Sequence, residues 1–293
     1  MIEDIIIYGA IQSGVYGLLA LGFTLIYGVS GVVNLAHGSF YMLGAYLFYI
    51  LGTIGSFQLN PVLALLLAVA GAGIIGSIVY RLTIHPVIAD EVAVMVVTVC
   101  LALIFQQTMI LAFGVSNVRI APILEGSTVV LGVTLTYTRI LAFGVSLALF
   151  LILLVFITKT KIGKAMRAVS QDREVTMLMG VNTHRIYMLT MAISAALAAT
   201  AGILVAASTT QVAGAWMWLY PLAVSFSIVV LGGLGSIKGS LVGALIIGYA
   251  EQTVAIVVPE GGAIVPVIPF TIMVLVLLVR PKGLFGKRVE MED

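Results

Sequence analysis

Nine apolar runs divide this 293-residue chain, at 5–28, 38–56, 61–80, 92–113, 138–158, 186–209, 216–236, 239–258 and 264–280. At 1.5 Å of helical rise per residue, roughly 20 residues cross the ~30 Å hydrocarbon core of a bilayer, and each run comes close to that length. Backbone amides in hydrocarbon must be satisfied within the chain, so runs of this kind fold as helices. Charged residues make up 9% of the sequence, against roughly 25% in soluble domains. Apolar types reach 61% and the mean hydropathy is +1.22. The expectation is an all-α, polytopic membrane helical bundle of about eight to nine transmembrane segments, a single domain over 1–293.

Basic residues choose the orientation. With the N-terminus outside, twelve of the fourteen Lys and Arg residues fall on the inner side: Arg81, six within 159–185, Lys238, Arg280, Lys282, Lys287 and Arg288. Only Arg119 and Arg139 remain outside, so N-out, C-in is expected. The opening Met1-Ile2-Glu3-Asp4 is acidic where a signal peptide is basic, and the first run is expected to persist as a span. A net charge of +2 in so apolar a chain is no nucleic-acid signature, and the single Cys100 excludes an internal disulfide framework.

The connections are unequal. Lys159–Arg185 is the one sizeable charged loop, flanked by two long apolar runs. Ala165, Ala168 and Val169, then Val175, Leu178 and Met179, recur at helical spacing and stop at Gly180, a good helix terminus. Ser170-Gln171-Asp172 can start a second short helix, with Asp172 and Glu174 favourably placed at its N-terminus. Two short amphipathic helices of this kind suit a groove on a cytoplasmic partner, and a solvated loop obeying the positive-inside rule is the simpler alternative. Gly28–His37 (G-V-S-G-V-V-N-L-A-H) carries no Asp, Glu, Lys or Arg, yet Gly28, Ser30, Gly31 and Asn34 interrupt it. It reads either as a broken or re-entrant stretch beside a transport path or as a tight connection at the interface. Outside, 114–137 is the longest connection, and its β-branched second half around Gly132 predicts a short hairpin. Gly235, Gly239 and Gly243 stand four apart, at close-packing spacing, although Lys238 places a turn between the first two.

The chain contains no phosphate-binding loop, no nucleophile elbow and no metal-ligand spacing, and its histidines at 37, 85 and 184 are isolated in sequence. No cofactor is expected, and any ATP hydrolysis belongs to another subunit.

Gly17–Gly28 (GLLALGFTLIYG), Asn34–Gly38 with Met42–Tyr46, Gly163–Glu174 (GKAMRAVSQDRE) with Gly180–Asn182, and Leu231–Ala244 together carry a family resemblance over nearly the whole chain. The sequence resembles the inner-membrane permeases of branched-chain amino-acid ABC importers, LivH type, a superfamily that also holds urea and amide permeases. Arg81-Leu-Thr-Ile-His85-Pro86 departs from the more basic family pattern. The resemblance implies a multi-pass inner-membrane subunit, without its own ATPase site, that imports branched-chain or similar hydrophobic amino acids. Its implied partners are a second homologous permease, two ABC ATPases and an external substrate-binding protein. By the same analogy Gly163, Arg167, Gln171, Asp172 and Gly180 are expected at the ATPase-coupling loop. Rival readings are a urea or short-amide permease of the same family and an ATP-independent secondary transporter.

Polar residues within spans are costly and point to function. Asn34, His37, Gln106, Gln107 and Glu251 are the candidate pathway residues. Glu251, the one acid well inside a run, can meet a substrate ammonium or a water pocket. Gln106 and Gln107 can line a path or join helices, while Asn34 and His37 flank the irregular segment, where half-helix ends can present amides to a carboxylate. His37 can equally bond a neighbouring carbonyl.

Overall fold

The computed structural model describes residues 1–53 and 59–286. Residues 54–56 of the expected second run, and Lys287 and Arg288 of the basic tail, lie outside the described residues. The helices are α1 (Ile2–Ser30), α2 (His37–Thr53), α3 (Pro61–Val79), α4 (Glu91–Phe113), α5 (Tyr137–Lys159), α6 (Lys161–Gln171), α7 (Arg173–Leu178), α8 (Thr183–Thr209), α9 (Leu219–Gly232), α10 (Ile237–Val257) and α11 (Ile268–Val279). Among the described residues seven stretches are long and apolar enough to span a bilayer: α1, Pro61–Val87, α4, α5, α8, α10 and Gly261–Val279. α2 and α9 are shorter, at 17 and 14 residues.

Local chemistry sets the helix starts. Asn60 caps α3 ahead of Pro61, Asp90 accepts from the amides of Val92 and Ala93, and Asn182 and Ser236 cap α8 and α10. The expected run 216–236 is helical only from Leu219 to Gly232, because Gly214 (φ 75) turns the chain before it and Gly233 (φ 100) ends it. The expected run 264–280 begins with one 3-10 turn, Val265–Val267, around Pro266, and regular helix starts at Ile268 beside Pro269.

α1 runs through the middle of the bundle, packed on α5, α8, α9 and α10, and is buried from Val15 to Ile26. α4, α5 and α11 lie at the periphery, where Leu103, Leu111, Ile152 and Leu278 present apolar side chains outward, as lipid contact requires. Glycine sets the closest approaches. A Cβ on Gly202 would stand 2.0 Å from the Tyr41 carbonyl oxygen, which brings α8 against α2. One on Gly239 would meet the Gly232 carbonyl at the same distance, closing α10 onto α9. Gly243 packs likewise on Ile228, whereas Gly235 lies outside any helix and rests on Gly28.

The two ends of the bundle differ. One pole gathers the end of α1, the turn after α3, α6, α7 and the α9–α10 connection, with Tyr80 against Tyr187 and Arg173 over Tyr187. Arg81, the basic residues of 159–185, Lys238, Arg280 and Lys282 belong to this pole. The other pole carries Arg119 and Arg139. There β1 (Val118–Arg119) pairs antiparallel with β4 (Gln211–Val212), and β2 (Ser127–Val130) with β3 (Val133–Thr136), the hairpin anticipated around Gly132.

Candidate functional site

α6 and α7 form a protruding corner at the basic pole. Thr160 caps α6 by accepting from the Gly163 amide at 3.0 Å. Gly163 is buried because a Cβ there would collide with the backbone of Phe156 and Ile157. Met166 and Val169 follow on the same inward face. Arg167 points outward, its guanidinium 3.4 Å from the Thr158 carbonyl, and Gln171 is exposed beyond it. Asp172 ends α6 and caps α7, accepting from the Val175 amide at 2.9 Å. Gly180 turns the chain with φ 82. The apolar periodicity therefore splits between two roles. Gly163, Met166 and Val169 fasten α6 to the bundle, while Val175, Leu178 (86% exposed) and Met179 (79%) form an outward apolar edge on α7. Next to this corner, a cavity of about 530 Å³ is lined by Thr24, Gly28, Arg167, Gln171 and Lys238.

The connection 31–36 is not a surface loop. Val32, Asn34 and Ala36 are buried, and the Leu35 amide bonds the Thr98 hydroxyl at 3.1 Å, two turns into α4. This is non-helical backbone inside the bundle, tolerated because protein groups satisfy it. The Asn34 side chain accepts from the Ala36 amide at 3.0 Å and donates to the Met191 sulfur at 3.4 Å. His37 opens α2, its Nε2–H donating to the Leu19 carbonyl at 2.9 Å, which fixes the tautomer. The Ser194 hydroxyl lies 3.2 Å from its Nδ1.

A second break, 213–218, precedes α9. The Trp218 indole N–H donates to Gln106 Oε1 at 2.6 Å, and Gly38 fits directly under the Trp218 carbonyl. The N-terminal ends of α2 and α9 thus meet inside the bundle. Asn34 lines a cavity of only about 20 Å³, room for a water and far below the roughly 300 Å³ at which small-molecule sites begin.

Gln107 lies on the exposed side of α4, away from this cluster. Glu251 forms a separate one: its Oε2 accepts from the Tyr16 hydroxyl at 2.6 Å and its Oε1 from the Tyr220 hydroxyl at 2.8 Å. It is 2% exposed and joins α10 to α1 and α9. Sequence reading did not find Tyr16, Tyr220, Ser194 or Trp218, whose only signal is a polar tip within an apolar run. His85 and His184, far apart in sequence, come to 4.1 Å between ring centroids. Among the described residues no group of three His, Cys, Asp or Glu side chains could hold a metal.

Buried backbone breaks, one strongly basic pole and a short helical corner on that pole define a multi-pass helical membrane protein. Residues 5–277 match the family described as "Branched-chain amino acid transport system / permease component", and the chain belongs to that family. It is 32% identical to the high-affinity branched-chain amino acid transport system permease protein BraD of Pseudomonas aeruginosa, over 96% of this chain and 95% of that protein. With the permease protein LivH of Escherichia coli the identity is 30%, over 95% of this chain and 94% of that one. A chain of PsaBC from Streptococcus pneumoniae, solved in complex with Fab, shares the fold at a TM-score of 0.53 and 15% identity, over 96% of this chain and 97% of that one.

Proposed function

We propose that this chain is one of two homologous permeases in an ABC importer of the cell inner membrane, carrying branched-chain or similar hydrophobic amino acids inward. An external binding protein delivers the substrate, and two ATPase subunits dock at the basic pole. The observation that carries this reading is the α6–α7 corner. Val175, Leu178 and Met179 are exposed beside Arg167 and Gln171, an apolar edge with a charged border. An apolar edge in water is costly to leave uncovered, so it calls for a protein partner. Force applied to α7 reaches the spans through α6, because Gly163 locks α6 on the end of α5 and α6 also packs on α1.

The test is transport by the assembled complex. Arg167→Glu is expected to purify and melt like the wild type but to abolish ATP-dependent leucine uptake. Leu178→Ser with Met179→Ser is expected to lose the co-purifying ATPases. Normal uptake by both variants would overturn the docking assignment.

A further inference from the structure

The polar residues that stand out in sequence are packed, and the structure offers a different route. Two open-sided cavities follow one another along the cleft between α1, α5 and α10, and a separate one opens at the outer end. The outer one, about 410 Å³, lies on the α8 side of α1 and is lined by Tyr8, Gln12, Arg139, Leu204, Ser208 and Gln252. The middle one, about 330 Å³, is lined by Ser13, Gly14, Leu21, Phe143, Ser146 and Leu245. The inner one is the 530 Å³ cavity beside Arg167 and Lys238. One face of α1 floors the middle and inner cavities, through Gly14, Gly17 and Leu21, then Thr24 and Gly28, whereas Tyr8, Ile11 and Val15 put the outer cavity on a different side of that helix. Alternating steps of three and four residues keep Gly14, Gly17, Leu21, Thr24 and Gly28 on a single side. α5 and α10 supply the walls of these two cavities, from Phe143, Ser146 and Leu245 in the middle to Ile157 and Lys238 at the inner end.

The inner end is polar, with Arg167, Gln171 and Lys238, and the middle is apolar with two hydroxyls. Ser146 is 2% exposed, and its Oγ has no hydrogen-bond partner. It faces Gly14, where a Cβ would stand 3.3 Å from Ser146 Cβ and 3.7 Å from the hydroxyl. Ser13 is scarcely better satisfied, reaching the Leu245 carbonyl only at 3.5 Å. A buried hydroxyl without a partner is unfavourable, and a chamber of this volume lies within the range of small-molecule sites.

We infer that the substrate route through this chain is the α1–α5–α10 cleft, with Ser146 and Ser13 bonding the polar head of a zwitterionic amino acid in the middle chamber. The chamber's apolar wall, with Leu21, Phe143 and Leu245, takes the aliphatic side chain. The inference rests on the importer reading above, and the open side of the cleft is the side a second permease would close.

The test uses the complete transporter in proteoliposomes with Cys100→Ser, which removes the one native thiol. In that background Ser146→Cys is expected to react with a membrane-permeant maleimide, and leucine supplied with the binding protein slows the reaction several-fold. Ile152→Cys, on the exposed side of α5, reacts at a rate that leucine leaves unchanged. Ser13→Cys reads the same chamber from α1 if Ser146→Cys does not assemble. Labelling of both chamber cysteines at rates indifferent to leucine, with wild-type uptake intact, would overturn the route alone. Absence of ATP-dependent leucine uptake in the wild-type transporter would overturn the reading beneath it.

Discussion

A carboxylate inside a membrane bundle needs partners, and Glu251 has two tyrosine hydroxyls, one on each oxygen. Interhelical hydrogen bonds in membranes average only about 0.6 kcal/mol, with a maximum near 1.7. Tyr16→Phe and Tyr220→Phe are therefore each expected to cost about 0.6–1.7 kcal/mol. Glu251→Ala is a different case, since it strands both hydroxyls in the bundle at roughly 1–3 kcal/mol each. It should lower the melting temperature in detergent more than either tyrosine variant. An equal or smaller drop would show that the carboxylate does not hold α1, α9 and α10 together. Sequence marks Glu251 as exceptional because it is a lone acid in an apolar run. It cannot reveal Tyr16, 235 positions away in the chain, since the pairing exists only once α1 lies against α10. His37 teaches the same lesson: both uses, pathway and carbonyl partner, were open from sequence. The Leu19 contact depends on the 31–36 segment rising into the bundle.

Elements were legible where a residue dictates backbone geometry. The hairpin turn falls on Leu131 and Gly132, with φ of 52 and 81, the pair of positive values that a two-residue hairpin turn of type I′ requires. Glycine meets that requirement freely, and leucine does not. An L-residue in the left-handed region costs roughly 1–2 kcal/mol, and asparagine tolerates it far better. Leu131→Asn is accordingly expected to stabilise the hairpin by about 1 kcal/mol, slowing amide exchange at Thr128 and Val130, which face Leu135 and Val133, roughly fivefold. Unchanged or faster exchange would argue against strain at this turn. The limits of α9 were less legible, because Trp216, Met217 and Trp218 keep the run apolar whether or not it is helical. Gly214, with φ 75, and Pro221, in the first turn of α9, mark the true start, which apolar length alone does not show. Within 163–180 the helical spacing was readable, but not that Met166 and Val169 face the bundle while Leu178 and Met179 face away. That division follows from the change of direction at Asp172, where one helix ends and the next is capped.

At the scale of the whole molecule, charge is sorted by pole, and the structure brings together basic residues that are dispersed along the chain. Arg81, Lys238 and the residues of α6 and α7 meet at one end, with Arg280 and Lys282 joined to it through the Leu284 amide, which bonds the Leu231 carbonyl at 2.9 Å. Placing that many cations outside a cell membrane would oppose both the insertion bias and the membrane potential, worth about 2.3 kcal/mol per charge per 100 mV. The pole carrying α6 and α7 is therefore expected in the cytoplasm and the hairpin outside. Single cysteines in the Cys100→Ser background report this directly. Ser127→Cys, on the hairpin, is expected to react with a membrane-impermeant maleimide in intact cells. Lys164→Cys, exposed on α6, is expected to react only after the membrane is opened. The reverse pattern would place α6 and α7 outside, away from any cytoplasmic ATPase, and would remove the coupling mechanism along with the orientation. Agreement would fix the direction of the α1–α5–α10 cleft as well, with the Ser13–Ser146 chamber on its outer side and Arg167 and Lys238 at its inner end.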